Sequence, residues 1–568
     1  MLNSKEILYK YWGYESFRHN QEEIIDSVLN GKDTIAILPT GGGKSLCFQI
    51  PSLMRDGICI VISPLISLMK DQLTSLKSKN IKSVALTHEM SQKDIEISLD
   101  NCIYGDYKFL YVSPERLNSN MVTNKISKMD VNLIAIDEAH CISSWGHDFR
   151  PSYRKISEIR EIKPRCTLLA LTATATADVI SDIKSSLKMQ DNKTIMSNMF
   201  RENISYNIVN DQRKEERIIN ILNRVKGSTI IYVKRRGDCD KITKLLIKNN
   251  ISAGSYNAGM DHINKEKVQN DWQNDKIRVV VATNAFGMGI NKSNVKLIIH
   301  PYIPSSIESY YQETGIAGRD EEKAYCIIIY DEKDLKYSKE EILSVSISID
   351  KIKEIYNNIC DHFQIALNEG EQNIYEFNII EFIKKYRIKK SKLLKIINYL
   401  ESEDYIKLED SKRSSKVRVN LNPKDLSILK NYNEISSSLI ITLLRNYNGI
   451  TNNEVKINEE KLSLSNKISV KDLSNLLIKL QEHNILRYIP GSNNINIRFL
   501  TNRKETKHMY LCKKSIEEKQ INEIKRKEEI KNYCLYNSKC RYSMMLEYFG
   551  YESVKKCYNC DICRKEIK

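Results

Sequence analysis

The sequence contains no run of 18 apolar residues, about the shortest segment expected of a helix that spans a membrane. Its first residues, MLNSKEILYKYWGYESF, also lack the apolar core and cleavage site of a signal peptide. Membrane-spanning and secreted proteins are therefore disfavoured. We expect an intracellular, soluble protein, in the cytoplasm or the nucleus according to the host.

Cysteine is unevenly distributed along the chain. Eight of the 14 cysteines are scattered between Cys47 and Cys360, and six lie between Cys512 and Cys563. The scattered residues are typical of reduced, mostly buried thiols in an intracellular protein. The C-terminal group needs a separate explanation.

The chain has 568 residues, which is too many for one hydrophobic core, so several domains are expected. Its formal net charge of +16 suits a polyanionic partner, because a Lys or Arg that contacts a phosphate releases a condensed counterion. A Lys-rich proteome would give the same charge. Charge alone therefore does not identify a nucleic-acid-binding protein.

Short apolar runs alternate with helical patterns from residue 33 to residue 340, which predicts an α/β fold. Continuous apolar strands separated by helices indicate parallel sheets covered on both faces. A polar stretch around 188–212 divides the runs into two sets, so we predict lobes at 1–205 and 206–340. The predicted strands are TIAIL (34–38), ICIVI (58–62), KFLYV (108–112), LIAID (133–137) and TLLAL (167–171), then STIIYV (228–233), RVVVA (278–282), KLIIH (296–300) and AYCIII (324–329).

Helical periodicity dominates after residue 345, where the sequence contains an internal repeat. The segment 392–409 aligns with 472–490 at an offset of 80 residues, and both are amphipathic helices followed by a strand. Second strands follow at 417–421 and 495–500, and helices followed by a two-stranded wing are typical of winged-helix folds. We predict a mainly α region of tandem winged-helix-like units at 345–510. Two unrelated helix–strand units are the alternative.

A glycine-rich loop, PTGGGKS, joins the first apolar strand to an apolar helix, which is the context of a phosphate-binding loop. Glycines let backbone N–H groups surround phosphate oxygens. Lys44 would reach the β and γ phosphates of ATP, and Ser45 would bind Mg²⁺. The general pattern has glycine where this chain has Leu38, and a chance glycine-rich turn is the alternative. The candidate ATP-binding residues are Pro39, Thr40, Gly41, Gly42, Gly43, Lys44 and Ser45.

The strand LIAID delivers two carboxylates to its carboxyl end. Asp137 can hold Mg²⁺, mostly through water, and Glu138 can orient or deprotonate an attacking water. A simple strand-end turn would explain adjacent carboxylates, but not their combination with the glycine-rich loop. His140, two residues on, can relay between the lobes.

LTATAT (171–176) ends another predicted strand. The hydroxyl groups of Thr172 and Thr174 either bond to the carboxylates after LIAID or form an ordinary strand-end pair.

These motifs, in this order and spacing, resemble those of a superfamily-2 helicase, and the flanking residues narrow the resemblance to the RecQ family. GYESFRHNQEEII (13–25) looks like the adenine-binding motif of RecQ helicases. The resemblance implies two RecA-like lobes. It also implies that Tyr14 stacks on the adenine, that Arg18 lies near it and that Gln21 bonds to its edge.

CISSWGHDFRPSYR (141–154) resembles the aromatic-rich loop that, in RecQ proteins, couples binding of single-stranded DNA to ATP hydrolysis. Trp145, Phe149 and Arg150 match its characteristic positions. An aromatic and cationic platform of this kind can stack a base. A buried Trp–Phe pair is the alternative.

The second lobe continues the resemblance. VVVATNAFGMGINKSNVKLIIH (279–300) is close to motif V of the family, which implies that Thr283 contacts backbone phosphate. ESYYQETGIAGRD (308–320) is close to motif VI. By that resemblance Gln312 and Arg319 face the triphosphate across the cleft, and Arg319 is an arginine finger that stabilises charge on the transferred phosphoryl group.

Motif VI departs from the family pattern GRAGRDG, because this chain reads GIAGRDE at 315–321. Ile316 replaces an arginine thought to help sense ATP, and an aliphatic side chain can neither bond to a phosphate nor carry charge. Because Arg319 remains, we expect a weakened motor rather than an inactive one.

The C-terminal cysteines have the spacing of a structural zinc site. Four thiolates can form a closed tetrahedral Zn²⁺ site, and the string is very similar to the RecQ zinc module, predicted here at 515–568. Redox chemistry is the rival explanation of a CxxC pair, but no βαβ pattern surrounds it. Cys512 and Cys534 are left outside the site. The candidate ligands are Cys540, Cys557, Cys560 and Cys563.

A basic run lies on the first copy of the internal repeat, between Lys384 and Lys395. These residues either bind phosphates of duplex DNA or form a helix face exposed to solvent.

We therefore predict an ATP- and Mg²⁺-dependent DNA helicase that translocates on single-stranded DNA and unwinds duplex DNA, in repair, recombination or replication. The resemblance implies 3′-to-5′ polarity. One alternative is a DNA-stimulated ATPase that translocates without unwinding, which Ile316 would permit. The other is a non-enzymatic structural DNA-binding protein, against which the complete set of catalytic candidates argues. RNA is disfavoured by the aromatic-rich loop, and the sequence identifies no protein partner.

Overall fold

A computed structural model describes residues 2–566 except 19, 88–89, 144–145, 147–149, 155, 288–289, 291, 411–414, 422–433, 448, 467, 492–494 and 553–555. The chain forms two units, one of Met1–Val345 with Glu518–Lys568 and one of Ser346–Glu517. Among the described residues, no helix combines the length and the apolar character needed to cross a bilayer.

The first lobe is built on a seven-stranded sheet in which every pair of neighbouring strands is parallel, in the order β3-β4-β2-β5-β6-β1-β7. The strand ICIVI is buried along its whole length. Ile58, Ile60 and Ile62 pack into one apolar core and Cys59 and Val61 into another, because successive side chains of a strand point to opposite faces. The strands are β1 (Thr34–Ile37), β2 (Ile58–Ile62), β3 (Ser83–Leu86), β4 (Phe109–Val112), β5 (Val131–Ile136), β6 (Leu168–Thr172) and β7 (Lys193–Met196).

Helices and short 3-10 turns cover this sheet. The helices are α1 (Ser4–Trp12), α2 (Gln21–Leu29), α3 (Leu46–Met54), α4 (Ile66–Lys77), α5 (Gln92–Tyr104), α6 (Asn120–Lys128), α7 (Pro151–Arg154), α8 (Ser157–Ile162) and α9 (Ala177–Ser186), with 3-10 turns at Arg116–Asn118 and Ala139–Ile142.

The second lobe has a six-stranded parallel sheet in the order β10-β11-β9-β12-β13-β8. Its edge strand β8 lies inside the polar stretch that the sequence assigned to a connection between lobes. The elements are β8 (Ile204–Asn210), α10 (Lys214–Arg224), β9 (Ser228–Tyr232), α11 (Arg236–Lys248), β10 (Ala253–Tyr256), α12 (His262–Gln273), β11 (Val279–Ala282), β12 (Val295–His300), α13 (Ile307–Thr314), β13 (Ala324–Tyr330) and α14 (Glu332–Leu343). Two parallel-sheet lobes confirm the predicted fold class for this part of the chain.

The internal repeat folds as two helix–strand units, one inserted into the other. An outer three-stranded sheet has the order β14-β19-β15, and an inner one has the order β17-β16-β18. The elements are α15 (Ile349–His362), β14 (Ile374–Phe377), α16 (Ile379–Tyr386), α17 (Lys390–Ser402), β15 (Ile406–Asp410), β16 (Lys416–Val419), α18 (Glu434–Asn446), β17 (Val455–Lys456), α19 (Glu459–Ser465), α20 (Val470–Glu482), β18 (Leu486–Ile489) and β19 (Ile495–Phe499), with a 3-10 turn at Thr506–His508.

The predicted pairing of each wing strand with the next one along the chain is wrong. β15 pairs antiparallel with β19, and β16 pairs antiparallel with β18. Ile406 consequently shares a core with Ile497 and Phe499, whereas Val417 shares another with Leu486. An apolar pattern identifies which face of a strand is buried but not which strand lies beside it, so the pattern alone does not distinguish the two arrangements.

The C-terminal segment is helical around the cysteine cluster. Its elements are α21 (Lys513–Leu535), α22 (Arg541–Tyr548) and α23 (Cys563–Glu566). Tyr542, Met545 and Phe549 pack into the apolar core that also contains residues of both lobes. From Glu518 onward the segment is part of the first unit.

Candidate nucleotide site and metal centre

The glycine-rich loop connects β1 to α3 and has a backbone that glycine alone adopts easily. Gly41 and Gly43 have φ angles of 81° and 75°, in the left-handed region that disfavours a Cβ atom. A Cβ atom on Gly43 would lie 2.3 Å from Nε2 of Gln21, and one on Gly42 would lie 2.9 Å from the carbonyl oxygen of Pro39. The loop therefore needs glycine for its conformation and for space.

The acidic pair at the end of β5 faces the lysine of this loop. Lys44 Nζ lies 3.4 Å from Oε1 of Glu138, and the Glu138 N–H donates to Oδ1 of Asp137 at 3.0 Å. Burial, reinforced by the charge of Glu138, raises the pKa of Asp137 to about 6. A cation near Asp137 would stabilise its ionised form. The environment therefore suits a carboxylate ligand of Mg²⁺.

One cleft of about 920 Å³ brings together candidate residues from both lobes. Motifs that are far apart in the sequence thus meet around a single space. Lobe 1 contributes Thr40, Gly41, Gly43, Lys44, Ser45, Asp137, Glu138 and Arg150, and lobe 2 contributes Asn284, Ala285, Gln312, Ile316 and Arg319, among others.

Arg319 reaches the phosphate-binding loop from the second lobe. A Cβ atom placed on Gly41 would lie 3.3 Å from Cδ of Arg319. Its Nη1 donates to the carbonyl oxygen of Ile290 at 2.6 Å, and its Nε has no hydrogen-bond partner among the described residues. Burial, followed by the charge of Arg201, lowers the pKa of Arg319 to about 10. A half-buried cation with an unused donor therefore lies against the loop that would hold phosphate.

The turn before Arg319 also touches the first lobe. A Cβ atom on Gly315 would lie 2.6 Å from Cβ of Thr40, so only glycine allows this approach. The next residue, Ile316, is 1% exposed and packs in the apolar core, yet it also lines the cleft. The chain thus presents an aliphatic surface where the family pattern has an arginine.

A second cavity of about 510 Å³ adjoins the loop and contains the predicted adenine-binding residues. Tyr14 is 52% exposed there, whereas Gln21 is buried. Oε1 of Gln21 accepts the Arg18 N–H at 2.9 Å, and Nε2 donates to the carbonyl oxygens of Gly42 and Gly43 at 3.2 and 3.0 Å. The Gln21 amide therefore connects the adenine-side loop to the phosphate-binding loop. Residues of this cavity that the sequence motifs did not identify are Trp12, Gln49, Gln72 and Ser75.

Glu321 occupies the place of the last glycine of the motif VI pattern. Its φ angle of 65° lies in the left-handed region, which glycine would adopt at lower cost. Its carboxylate is 3.7 Å from Nη1 of Arg18 in the other lobe. Both side chains are largely exposed, so this ion pair contributes little to stability.

His140 is buried behind the acidic pair. Its Nδ1 lies 2.9 Å from Oγ1 of Thr172 and 3.4 Å from Oε2 of Glu138. Thr172 therefore contacts the imidazole and the backbone N–H of Thr174, rather than a carboxylate. Oγ1 of Thr174 has no hydrogen-bond partner in the described part of the chain.

The predicted DNA-coupling residues are only partly described. Trp145 and Phe149 lie outside the described residues. Arg150 lines the cleft; its N–H donates to the carbonyl oxygen of Cys141 at 2.9 Å, and its Nη1 donates to that of Pro64 at 3.4 Å. Thr283 is buried at the end of β11, next to two residues that line the cleft.

Four cysteines of the C-terminal segment form a compact group. Their Sγ atoms all lie within 4.8 Å of one another, and those of Cys557 and Cys563 are 4.0 Å apart. Tetrahedral ligands at about 2.3 Å from one ion would be roughly 3.8 Å apart. Backbone N–H groups also donate to three of the sulfur atoms, at 3.3–3.4 Å. The group therefore fits a tetrahedral metal ion. Its members are Cys540, Cys557, Cys560 and Cys563.

Further cleft residues follow strands of the second sheet. Lys234 follows β9; its Nζ lies 3.3 Å from Glu341 Oε2 and 4.8 Å from the centre of the Tyr337 ring. Burial lowers the pKa of Lys234. Glu313 of motif VI is 2.7 Å from Nε2 of buried His300, the last residue of β12. The position of Lys234 shortly after a parallel strand is a signal that could have identified it.

Family models match four segments of the chain. They are a DEAD/DEAH box helicase at 18–183, a helicase conserved C-terminal domain at 213–321, a RecQ helicase winged-helix domain, Bacteroidota, at 417–490, and a RecQ zinc-binding domain at 496–564. The winged-helix match coincides with the inner unit. The zinc-binding match begins in β19 and includes the cysteine group.

Curated relatives resemble the chain mainly over its first two lobes. The ATP-dependent DNA helicase RecQ of Bacillus subtilis is 43% identical over 336 residues, covering 58% of this chain and 57% of that protein. The protein of the same name from Haemophilus influenzae is 43% identical over 338 residues, covering 59% and 55%. The probable ATP-dependent DNA helicase RecS of Bacillus subtilis is 36% identical over 360 residues, covering 62% and 72%. The chain thus spans little more than half the length of the first two.

Proposed function

This chain belongs to the RecQ family of DNA helicases, and from that premise we propose that it is an ATP-dependent motor that translocates 3′ to 5′ on single-stranded DNA and unwinds duplex DNA. We place its activity in DNA repair, recombination or replication. The observation that carries the proposal is the approach of the Arg319 side chain to Gly41, where an added Cβ atom would lie 3.3 Å from Cδ of Arg319. It supports a nucleotide site to which both lobes contribute, so that a change in the distance between lobes accompanies each turnover.

In the proposed reaction the residues of lobe 1 hold ATP and those of lobe 2 complete the site. Lys44 bonds to the β and γ phosphates, and Glu138 accepts a proton from the attacking water. Mg²⁺, held by Ser45 and Asp137, would neutralise charge on the phosphate oxygens. Arg319 stabilises the charge that develops on the transferred phosphoryl group. Gln312 faces the same cleft, on the helix that leads to Arg319.

The base of the nucleotide is proposed to be adenine. Tyr14 is exposed beside the phosphate-binding loop, where its ring can stack on a base. Arg18 and Gln21 line the same cavity. Because the Gln21 amide also bonds to the loop carbonyls, occupation of the base site would be communicated to the phosphate site.

Coupling to DNA is assigned to the loop at 141–154 and to motif V. His140 links Glu138 to Thr172, so movement of the following loop would reach the catalytic carboxylate. Arg150 lies on the cleft, and Trp145 and Phe149 are the proposed stacking residues. Thr283 is the proposed phosphate contact of lobe 2.

The outer unit of the repeat is the proposed contact for duplex phosphates. Lys384, Arg387, Lys389 and Lys390 are exposed, and none has an ion-pair partner within the described residues. No acidic residue occurs between Phe382 and Leu400. The basic side chains are thus available to phosphates rather than occupied by carboxylates.

The inner unit provides an internal control for this assignment. At the offset of 80 residues, Lys389 and Lys392 correspond to Ser469 and Asp472, which cap α20 through a hydrogen bond. We expect Lys389→Glu with Lys390→Glu to reduce the salt dependence of duplex binding, by about 0.9 in the slope of log K against log[salt] for each lost contact. Lys456→Glu with Lys479→Glu in the inner unit should leave that slope unchanged. Equal slopes for both double variants would contradict the assignment.

The cysteine group is proposed to hold one Zn²⁺ ion in a structural role. All four tetrahedral positions are supplied by the protein, so none remains for a reactant. Cys512 and Cys534 stay outside the site, and Cys534 is buried in the apolar core.

A second candidate function is an ATPase that translocates without unwinding. The buried aliphatic side chain of Ile316 favours it, because a missing cationic contact to ATP would weaken the coupling of hydrolysis to force. A strand-displacement assay separates the candidates.

The assay uses a duplex with a 3′ single-stranded tail, a duplex with a 5′ tail and a matched RNA duplex, each with ATP and Mg²⁺. The proposed helicase displaces the strand on the 3′-tailed DNA, and Lys44→Ala abolishes displacement. Hydrolysis without displacement would favour the translocase. DNA binding without ATP hydrolysis would reject both the helicase and the translocase and would leave a structural DNA-binding protein. Preference for the RNA duplex would reject DNA as the substrate. Preference for the 5′ tail would reject the 3′-to-5′ polarity.

A further inference from the structure

Side chains of the segment that links the two sheets donate hydrogen bonds to the turn that precedes Arg319. Arg201 lies in this segment, between β7 and β8. Its Nη1 donates to the carbonyl oxygen of Gly315 at 3.3 Å, and its Nη2 donates to that of Gly318. The Gly318 carbonyl belongs to the peptide bond that continues into Arg319. One guanidinium therefore holds both ends of the turn and the peptide group that carries the proposed arginine finger.

A second side chain of the same segment binds the same peptide group. Nδ2 of Asn203 donates to the carbonyl oxygens of Gly318 and Glu322, at 2.7 and 2.9 Å. Gly318 has a φ angle of 57°, and a Cβ atom on it would lie 2.5 Å from Nδ2 of Asn203. The turn is thus fixed by a donor pair that leaves no room for another residue at this position.

The linking segment is in turn held by the C-terminal zinc-binding segment. The Arg201 N–H donates to the hydroxyl oxygen of Tyr542 at 2.9 Å, and that hydroxyl donates to the carbonyl oxygen of Met199. The Tyr551 hydroxyl donates to the carbonyl oxygen of Ser197 at 2.9 Å. A continuous series of hydrogen bonds therefore runs from the helix after the first metal ligand, through Arg201, to the turn of motif VI.

We infer that Arg201 is a positioning residue for Arg319, and that it transmits the placement of the zinc-binding segment to the arginine finger. The inference rests on the proposed function, in which Arg319 acts on the transferred phosphoryl group. Arg201 does not replace the arginine for which Ile316 stands, because its guanidinium donates to backbone carbonyls of the turn. Its effect is to restrict the motion of the peptide that carries Arg319.

The test is a double-mutant cycle in the full-length, zinc-loaded protein, with ATP turnover stimulated by single-stranded DNA. We expect Arg201→Ala to lower kcat about 100-fold, as expected for a misplaced catalytic group, with little change in KM for ATP or in affinity for single-stranded DNA. In the Arg319→Ala background Arg201→Ala should lower kcat little further, because the arginine that it would misplace is already absent. Equal losses in both backgrounds would overturn the inference.

Arg278→Ala is the matched control. Arg278 belongs to lobe 2 and, like Arg201, donates to backbone carbonyls, those of Leu222, Val225 and Gly227. Its loss should lower the melting temperature at least as much as that of Arg201 while leaving kcat near the parent value. If kcat and melting temperature fell together in both Arg201→Ala and Arg278→Ala, the role of Arg201 would be structural only. That result would overturn the inference.

Arg201→Lys covers the case in which the alanine variant does not fold. Lysine keeps the charge but lacks the planar pair of donors that spans two carbonyls. We expect a folded, zinc-containing protein with reduced kcat, and wild-type turnover in that variant would overturn the inference. If Arg319→Ala left kcat unchanged, the assignment of Arg319 as an arginine finger and the inference about Arg201 would both be wrong. If Arg319→Ala lowered kcat strongly but Arg201→Lys did not, only the inference about Arg201 would be rejected.

Discussion

The lobe 1 face of the nucleotide cleft is made from the ends of buried strands, whereas the lobe 2 face is a turn held by contacts from outside that lobe. Lys44 follows β1 and Asp137 follows β5, which belong to one parallel sheet. Arg319 lies between α13 and β13, in a turn bonded to Arg201 and Asn203. The proposed nucleotide binding on one face would therefore be a local property of one sheet, whereas the proposed catalysis from the other face would depend on distant parts of the chain.

The largest combined effect, on both ATP binding and turnover, is expected from Lys44→Ala, which acts on the lobe 1 face. The ammonium group is the cation that the loop presents beside Glu138, and removing such a donor should lower kcat about 10³-fold and weaken ATP binding as well. Steady-state ATPase assays and nucleotide titration measure the two quantities. Lys32→Ala, at an exposed position in the same lobe, serves as the control, and retention of ATP binding in Lys44→Ala would contradict the account.

Glu138→Gln should separate binding from turnover within the same face. Loss of the general base lowers kcat by about 10²–10⁴-fold, whereas ATP affinity is kept because the loop and Lys44 are intact. Single-turnover hydrolysis with a parallel binding assay tests this. Turnover within a few fold of wild type would assign the base to another residue.

Cys560→Ser tests the dependence of the lobe 2 face on the C-terminal segment. Cys560 is fully buried, and loss of a metal ligand is among the changes that cost more than about 4 kcal/mol of stability. We expect loss of stoichiometric zinc, a lower melting temperature and reduced kcat with ATP binding retained. Cys512→Ser should keep the metal. A zinc-free variant with full turnover would show that the segment does not position Arg319.

Ile316→Arg should produce the smallest change, and in the opposite direction. An arginine here would extend from the apolar core into the cleft and could bond to a phosphate. We expect kcat to rise by about tenfold or less, well below the 10³-fold or more attributed to a finger. Ile316→Leu is the packing control. Unchanged turnover in a folded Ile316→Arg protein would show that the aliphatic residue does not limit the motor.

The two faces also differed in how far the sequence predicted them. The strand before Lys44 and the strand before Asp137 are continuous apolar runs next to short motifs, so local pattern identified both. Arg201 gave no such signal, because its partners are backbone carbonyls more than a hundred residues away. The edge strand β8 was missed for a related reason, since ISYNIVN lies in a polar stretch and only its pairing with β13 makes it a strand.

The repeat shows the same limit in another part of the chain. At the offset of 80 residues Ile396, Ile397 and Leu400 correspond to Leu476, Leu477 and Leu480, and the two sets pack in or against separate cores. The pattern could not show that β15 pairs with β19, on the far side of the whole inner unit, because it identifies the buried face of a strand and not the strand's partner. Burial is encoded locally, whereas the choice of strand partner depends on the complete fold.

The most direct test of the account is the effect of Arg319→Ala on ATP binding and on turnover, measured on one preparation with saturating single-stranded DNA. If lobe 1 holds the nucleotide and lobe 2 supplies the finger, kcat falls by about 10³-fold or more while the affinity for ATP with Mg²⁺ stays close to that of the unmodified protein. Unchanged turnover, or a loss of affinity as large as the loss of turnover, would contradict it.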